Sequence, residues 1–203
     1  MFALVDKTDN SITKMLNGNR GITLGDNQYP RAIFSLWTEA ERNAIGIYTV
    51  EYDDSNRKDE KWYINTNQSF AFADNKVTAS YGSATAKKHA DTLFTAQDET
   101  DGLGTEGEIN TRGLKYNLIQ TVKAQAANEL AKTDWYITRK SEKNTAIPSA
   151  ITTHRDAVRS KQAAMETAIT NASDTPALET LYTYTTQEDG SVTRPLGELP
   201  TLE

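Results

Sequence analysis

Two apolar stripes at helical spacing constrain the fold of this chain more than any other feature. The first stripe repeats every four residues and comprises Leu114, Leu118, Val122 and Ala126. The second follows Pro148, a residue suited to the first turn of a helix, and comprises Ile151, His154, Val158, Met165 and Ile169. This spacing places each set on one helix face. We therefore predict helices over residues 109–172, with the stripes buried in an antiparallel hairpin or by self-association.

The first 82 residues carry a different pattern of short apolar runs separated by Asn, Asp and Gly turns. The runs at 2–5, 47–52 and 77–81 are enriched in β-branched and aromatic residues, as strands are. Between them, Thr38 and Glu41 have the spacing of a capping box, which predicts a short helix. We therefore predict a small β-rich module, a meander of short strands with one short helix.

The remaining segments are polar. Residues 83–108 are acidic and rich in glycine towards their end, which predicts a linker between domains. Residues 183–203 have low hydrophobicity and are predicted to form an extended C-terminal arm that lies on a neighbouring subunit. The predicted fold class is α+β, with a β-rich module (1–82), a linker (83–108), a helical module containing the α-helical hairpin (109–182) and the arm.

Composition narrows the classes of function. The net charge of -6 and the lack of a basic patch argue against nucleic-acid binding, which depends on Lys and Arg at phosphates. The absence of cysteine excludes disulfides, thiolate catalysis and Cys-ligated zinc. No apolar run approaches the ~18 residues of a membrane span, and the N-terminus lacks a signal-peptide pattern. We expect synthesis in the cytoplasm, no membrane span, and a thin core completed by other chains, since only 37% of residues are hydrophobic.

No sequence motif points firmly to catalysis or to a bound cofactor. The acidic segment can be aligned with a calcium-binding loop by taking Gly102 as the sixth position. It departs from that loop because Gln97 then occupies the first position, where an Asp ligand is required. The carboxylate pairs Asp53–Asp54 and Asp59–Glu60 have the residue types of a glycosidase, but they lie in a loop predicted to be solvated. We therefore expect no metal, no cofactor and no enzymatic activity.

One cluster in the helical region has two interpretations. In the first, Trp135 fills a gap between helices, and nearby arginines pair with Glu142 or Asp156. In the second, the cluster is a protein interface, because Trp and Arg are enriched at binding hot spots. The interface candidates are Trp135, Arg139, Ile151, Arg155, Val158, Arg159 and Met165.

The residues at 130–160 also follow a recognisable order: a Leu-containing helix, an Asp-Trp pair, a short segment with Pro, and two arginines four residues apart. The matching residues are Leu130, Asp134, Trp135, Pro148, His154, Arg155, Val158 and Arg159. This order resembles the C-terminal region of bacteriophage tail fibre assembly proteins and related small, baseplate-associated tail proteins. That family has Tyr more often at the position of His154 and Leu at the position of Val158. Residues 29–50 are similar, more weakly, to the N-terminal part of small phage tail proteins.

The resemblance implies a place in the virion tail. It implies a structural protein of the tail or baseplate, an adaptor or fibre-associated component, that forms a homo-oligomer within the particle. Its partners would be other phage tail proteins, namely tail fibre, baseplate or tail tube subunits. An alternative is a tail fibre assembly chaperone that is absent from the mature particle, and a more remote one is a tail-associated polysaccharide-degrading enzyme with two carboxylates at its centre.

Overall fold

The chain folds into two compact units, Met1–Thr85 and a second that begins at Ala86. A computed structural model describes residues 1–202. Strands dominate the first unit, and the long helices all lie in the second. The predicted α+β class is therefore confirmed.

The first unit contains a set of short strands and two short helices. Their bounds are β1 Phe2–Val5, β2 Ile12–Leu16, β3 Ile22–Leu24, β4 Asn27–Tyr29, α1 Ile33–Leu36, α2 Glu39–Ala44, β5 Ile47–Asp53, β6 Tyr63–Ile64, β7 Ser69–Ala73, β8 Lys76–Ser80 and, at the junction, β9 Thr85–Ala86. Helix α2 begins at the predicted capping box, where the Glu41 N–H donates to Thr38 Oγ1 at 3.3 Å and the Thr38 N–H donates to Glu41 Oε2 at 2.7 Å. Helix α1 is an addition to the single helix that the sequence predicts.

The five-stranded sheet of the first unit has the order β2-β1-β5-β8-β7. A meander would pair only sequence neighbours in antiparallel fashion, but β5 pairs in parallel with β8. The meander prediction is therefore corrected at this pair. A parallel pair requires a long crossover between its strands, which residues 54–75 provide. Alternate residues of the strands face one core, whose buried members are Ala3, Val5, Tyr48, Val50, Val77 and Ala79.

The second unit is built around two long helices. Its elements are β10 Thr92–Leu93, α3 Ala96–Thr100, β11 Ile109–Thr111, α4 Leu114–Ala131, α5 Asp134–Lys143, α6 Ser149–Asn171, α7 Thr175–Tyr182, β12 Thr185–Thr186 and β13 Val192–Thr193. Helices α4 and α6 pack together, and the two predicted stripes are largely buried. The buried stripe residues are Leu118, Val122, Ala126, Ile151, Val158, Met165 and Ile169. Within residues 1–202, no helix combines the length and apolar character needed to cross a membrane.

The acidic segment expected to be a linker is ordered from residue 86 onward as part of the second unit. Helix α3 begins at a capping box formed by Thr95 and Asp98, and β10 pairs with β11. Gly104 lies against the Phe94 ring, where a Cβ atom would come within 2.5 Å of a ring carbon. This close contact packs a half-buried aromatic ring against glycine, and an acidic, Gly-rich composition gives no sign of it.

The C-terminal segment also differs from the predicted extended arm. Strands β12 and β13 form a hairpin, and Leu196 is only 2% exposed. The Leu196 N–H donates to the Leu181 carbonyl at 3.0 Å, and the Leu202 N–H donates to Glu129 Oε1 at 3.2 Å. The segment therefore folds back on its own unit because an apolar side chain and two backbone groups find partners there. Residue 203 lies outside the described residues.

Candidate protein interface

Helix α5 differs from its neighbours because none of its residues is buried. It ends at Lys143 and is capped by Asn144, whose φ of 51° is the left-handed conformation common at helix ends. At about 100° per residue, every aromatic and basic side chain of the helix falls within about 140° of its circumference. These residues form what we call the aromatic–cationic face: Trp135, Tyr136, Arg139, Lys140 and Lys143.

The aromatic–cationic face contains a compact stack. The ring centroids of Trp135 and Tyr136 lie 3.8 Å apart. The guanidinium of Arg139 lies 4.7 Å from the Trp135 centroid and 5.4 Å from that of Tyr136, within range of a cation–π interaction. Arg139 Nε is buried without a hydrogen-bond partner among the described residues. Trp135 itself remains 51% exposed, so the stack presents an indole to solvent.

The opposite side of α5 is held in place by Arg155. This side chain is buried, and its Nη1 lies 2.8 Å from the Leu130 carbonyl, 2.7 Å from Thr133 Oγ1 and 2.8 Å from Asp134 Oδ1. The three acceptors belong to the end of α4, the connection and the start of α5. Arg155 therefore ties α6 to the junction between the other two helices and sets the direction in which α5 leaves it.

The burial of α6 corrects the predicted interface at four positions. Ile151 is 7% exposed, Arg155 8%, Val158 0% and Met165 1%. Such side chains pack within the unit and are not available to a partner chain. The helical period identifies an apolar face, but it is the same whether that face is covered by the same chain or by another.

The three other interface candidates remain at the surface. Arg159 is exposed and pairs with Asp156 at 3.3 Å, and Trp135 and Arg139 belong to the aromatic–cationic face. The interpretation of Trp135 as a plug between helices is wrong, because half of its surface faces solvent. The prediction missed Tyr136, Lys140 and Lys143, although plotting residues 134–143 at about 100° intervals would have found them.

Glu129 forms a second polar centre on α4. Its carboxylate accepts hydrogen bonds from Lys132 Nζ and from the Leu202 N–H, and His154 Nε2 lies 3.3 Å away. The Lys132 hydrogen bond is the main cause that lowers the pKa of Glu129, with the Leu202 N–H and the nearby positive charges acting in the same direction. Spacing indicates only the pair of Glu129 with Lys132, three residues away, because His154 and Leu202 are far from Glu129 in sequence.

The carboxylates considered for a glycosidase lie together in the first unit. They border a surface depression of about 480 Å³ lined by Asp54, Arg57, Lys58, Asp59 and Glu60. Glu60 pairs with Arg57 at 3.2 Å, and hydrogen bonds from Ser55 lower the pKa of the neighbouring Asp53. A general acid of this class requires a raised pKa. The local chemistry therefore does not favour the glycosidase alternative.

Comparisons of this chain with protein-family models, with curated proteins and with solved structures gave no match. Its function must therefore be argued from its own residues. Among those the structure describes, no group of three or more His, Cys, Asp or Glu side chains could hold a metal ion. The aromatic–cationic face is the surface feature with the clearest binding character, because it combines exposed aromatic area with grouped cations.

Proposed function

We propose that this chain is a structural protein of a bacteriophage tail or baseplate, an adaptor or fibre-associated component that acts through protein–protein contacts. The observation that carries the proposal is the aromatic–cationic face of α5, where an indole that is 51% exposed stacks with Tyr136 and Arg139. Trp, Tyr and Arg are the residues most enriched at binding hot spots. Rigid stacked rings also lose little conformational freedom when a partner covers them.

The assignment to a phage tail is supported by the resemblance at residues 130–160, four of whose matching residues have a common physical role. Asp134 and Leu130 both accept hydrogen bonds from Arg155, and Trp135 follows Asp134 directly. The resembling residues therefore hold α5 in position and present its indole. A protein family that uses this surface needs both the residues that position α5 and the indole that α5 presents. This requirement explains why these residues occur together in this order.

In this proposal the protein stays in the virion tail and contacts other tail proteins, namely fibre, baseplate or tail tube subunits. It acts without a catalytic step or a cofactor, through surface complementarity alone. The protein is made in the host cytoplasm and enters the particle during assembly. The competing function is that of an assembly chaperone, which binds the same partners and then leaves.

Mass spectrometry of purified particles of the encoding phage separates the two functions. We expect peptides of this chain at a fixed ratio to known tail proteins, and the ratio should survive repeated gradient purification. Detection in the infected-cell lysate together with absence from purified particles would reject the virion role and support the chaperone.

A substitution in the aromatic–cationic face tests the proposed contact. Trp135→Ala should lower incorporation into particles about 10-fold or more, as expected for the loss of a hot-spot side chain. Leu36→Ala is the matched control, because Leu36 is also a large exposed apolar residue, at 79%, and lies in the first unit. Equal incorporation of the two variants would contradict the assignment of α5 as the contact surface.

A further inference from the structure

We infer that the aromatic–cationic face of α5 binds the acidic loop of a second copy of this chain, so that copies join head to tail. The acidic loop is defined as residues 94–109, which follow β10 and end at β11. This inference rests on the proposed function, since it names one partner for the surface that the proposal assigns. Both surfaces belong to the second unit, so each copy carries one of each.

The acidic loop has a charge opposite in sign to that of the aromatic–cationic face. It contains five carboxylates and no Lys or Arg: Asp98, Glu99, Asp101, Glu106 and Glu108. Among the described residues, none of these carboxylates forms a salt bridge with a cation of the same chain. The loop therefore presents a field of one sign that no internal pair neutralises.

The acidic loop also exposes apolar surface within that field. Leu103 is 64% exposed near its tip, Ile109 at the end of the loop is 41% exposed, and Leu93, which precedes the loop, is 49% exposed. The aromatic–cationic face has the converse arrangement, an exposed indole beside Arg139, Lys140 and Lys143. An apolar centre bordered by charges of opposite sign on the two surfaces is the complementarity expected of a specific contact.

The shape of the acidic loop is set by its own backbone. The Leu103 N–H donates to the Asp98 carbonyl at 2.8 Å, the Phe94 N–H to the Glu108 carbonyl at 2.9 Å, and the Gly107 N–H to the Phe94 carbonyl at 3.0 Å. Leu103 is therefore exposed on an ordered loop rather than on a segment that must fold on binding. Such pre-organisation reduces the entropy lost on association.

The signs of the two surfaces determine how copies can join. Two aromatic–cationic faces repel each other, and so do two acidic loops, which disfavours a two-fold contact that joins like with like. Only the unlike pair attracts, so the contact is heterologous. A heterologous contact between identical copies leaves one surface of each kind free at the ends of an open chain of copies, which either closes into a ring or grows into a filament.

Sedimentation velocity of the full chain over a concentration series, up to about 100 µM, tests the inference. The wild type should self-associate at about 0.1 M salt, and at about 1 M salt, where the Debye length falls to about 3 Å, its association should weaken at least about 10-fold. K140E/K143E and E106K/E108K should each raise the apparent dissociation constant at least about 10-fold, because the first variant reverses the sign of the α5 face and the second leaves the loop with three carboxylates against two lysines. An equimolar mixture of the two variants should form a 1:1 complex, since the unchanged α5 face of the second variant meets the unchanged loop of the first.

Two control variants carry the same charge changes elsewhere. K14E/R20E matches the first variant and D26K/E188K the second, and all four side chains are exposed outside both surfaces. Both controls should associate like the wild type, and circular dichroism should show the same helix content in every variant.

A wild type that stays monomeric over the whole concentration range would overturn the inference, and so would a mixture of the two variants that remains dissociated. Loss of association in the α5 variant alone would reject the acidic loop as the acceptor. If the wild type is monomeric while Trp135→Ala still lowers incorporation into particles, the inference fails and the proposed function stands with a different partner.

Discussion

Helices α6 and α5 belong to the same unit and both contain residues that the sequence predicts to be an interface, but they differ in what covers them. Helix α6 buries its apolar face against α4, including Ile151, Val158 and Met165. Helix α5 buries no residue at all. The difference shows that a periodic stripe with a partner stripe in the same chain becomes core, whereas aromatic residues grouped with cations remain at the surface.

The arginines of the two helices show the same difference. Arg155 of α6 is buried and directed at one carbonyl, one hydroxyl and one carboxylate. Arg139 of α5 lies over two rings. The first arrangement uses the guanidinium to satisfy polar groups inside the fold, and the second leaves a positive charge beside exposed aromatic area. Burial and partners, rather than residue type, separate the structural arginine from the candidate for binding.

The largest expected effect comes from removing a buried side chain of α6. Met165→Ala should destabilise the helical unit by about 2–5 kcal/mol, because a fully buried side chain leaves a cavity. Trp135→Ala should change the free energy of unfolding by only about 0.5 kcal/mol, as expected at the surface. Urea unfolding followed by circular dichroism at 222 nm measures both, since the long helices lie in one unit. A larger loss for Trp135→Ala than for Met165→Ala would reverse the roles assigned to the two helices.

A smaller effect is expected where the two helices are joined. Arg155→Met keeps much of the side-chain volume but removes the charged donor to the Leu130 carbonyl, the Thr133 hydroxyl and the Asp134 carboxylate. Hydrogen bonds from a charged group contribute about 1.5–3 kcal/mol. Arg159→Met is the control, because that arginine is exposed and should contribute less than about 0.5 kcal/mol. Equal unfolding midpoints for the two variants would show that the Arg155 contacts do not support the junction.

The smallest effect concerns pH and the polar centre on α4. Because the pKa of Glu129 is lowered in the folded chain, its ionised form stabilises the fold above the ordinary value of 4.5, and this contribution is lost as the pH falls through the lowered value. Glu129→Gln should therefore show a shallower loss of stability on acidification below 4.5 than the wild type. Glu142→Gln, at an exposed carboxylate of α5, should follow the wild type. Parallel acid unfolding curves for all three chains would remove Glu129 from the set of stabilising carboxylates.

Local signals in the sequence were sufficient for much of the fold. The α+β class followed from the change between strand-like runs and helical stripes. Helix α2 followed from the spacing of Thr38 and Glu41, and the stripes on α4 and α6 from the spacing of residues along one helix face. Each of these features depends on residues within a few positions of one another, so the physical cause and its signal lie in the same stretch of chain.

Contacts between distant residues were not predictable in this way. The parallel pairing of β5 with β8 and the return of Leu196 to the helices both join segments whose spacing has no period. The binding surface was not predictable either, because the presence of Trp135 in the sequence does not indicate whether its side chain is buried or exposed.

The order of residues was therefore enough to specify the helices, the strands and the faces that must leave water, since these depend on short-range geometry and on apolar periodicity. Only the tertiary structure decided which of those faces cover one another. That choice depends on the packing of α4 against α6 and on the three acceptors of Arg155, which together leave α5 uncovered by the other two helices.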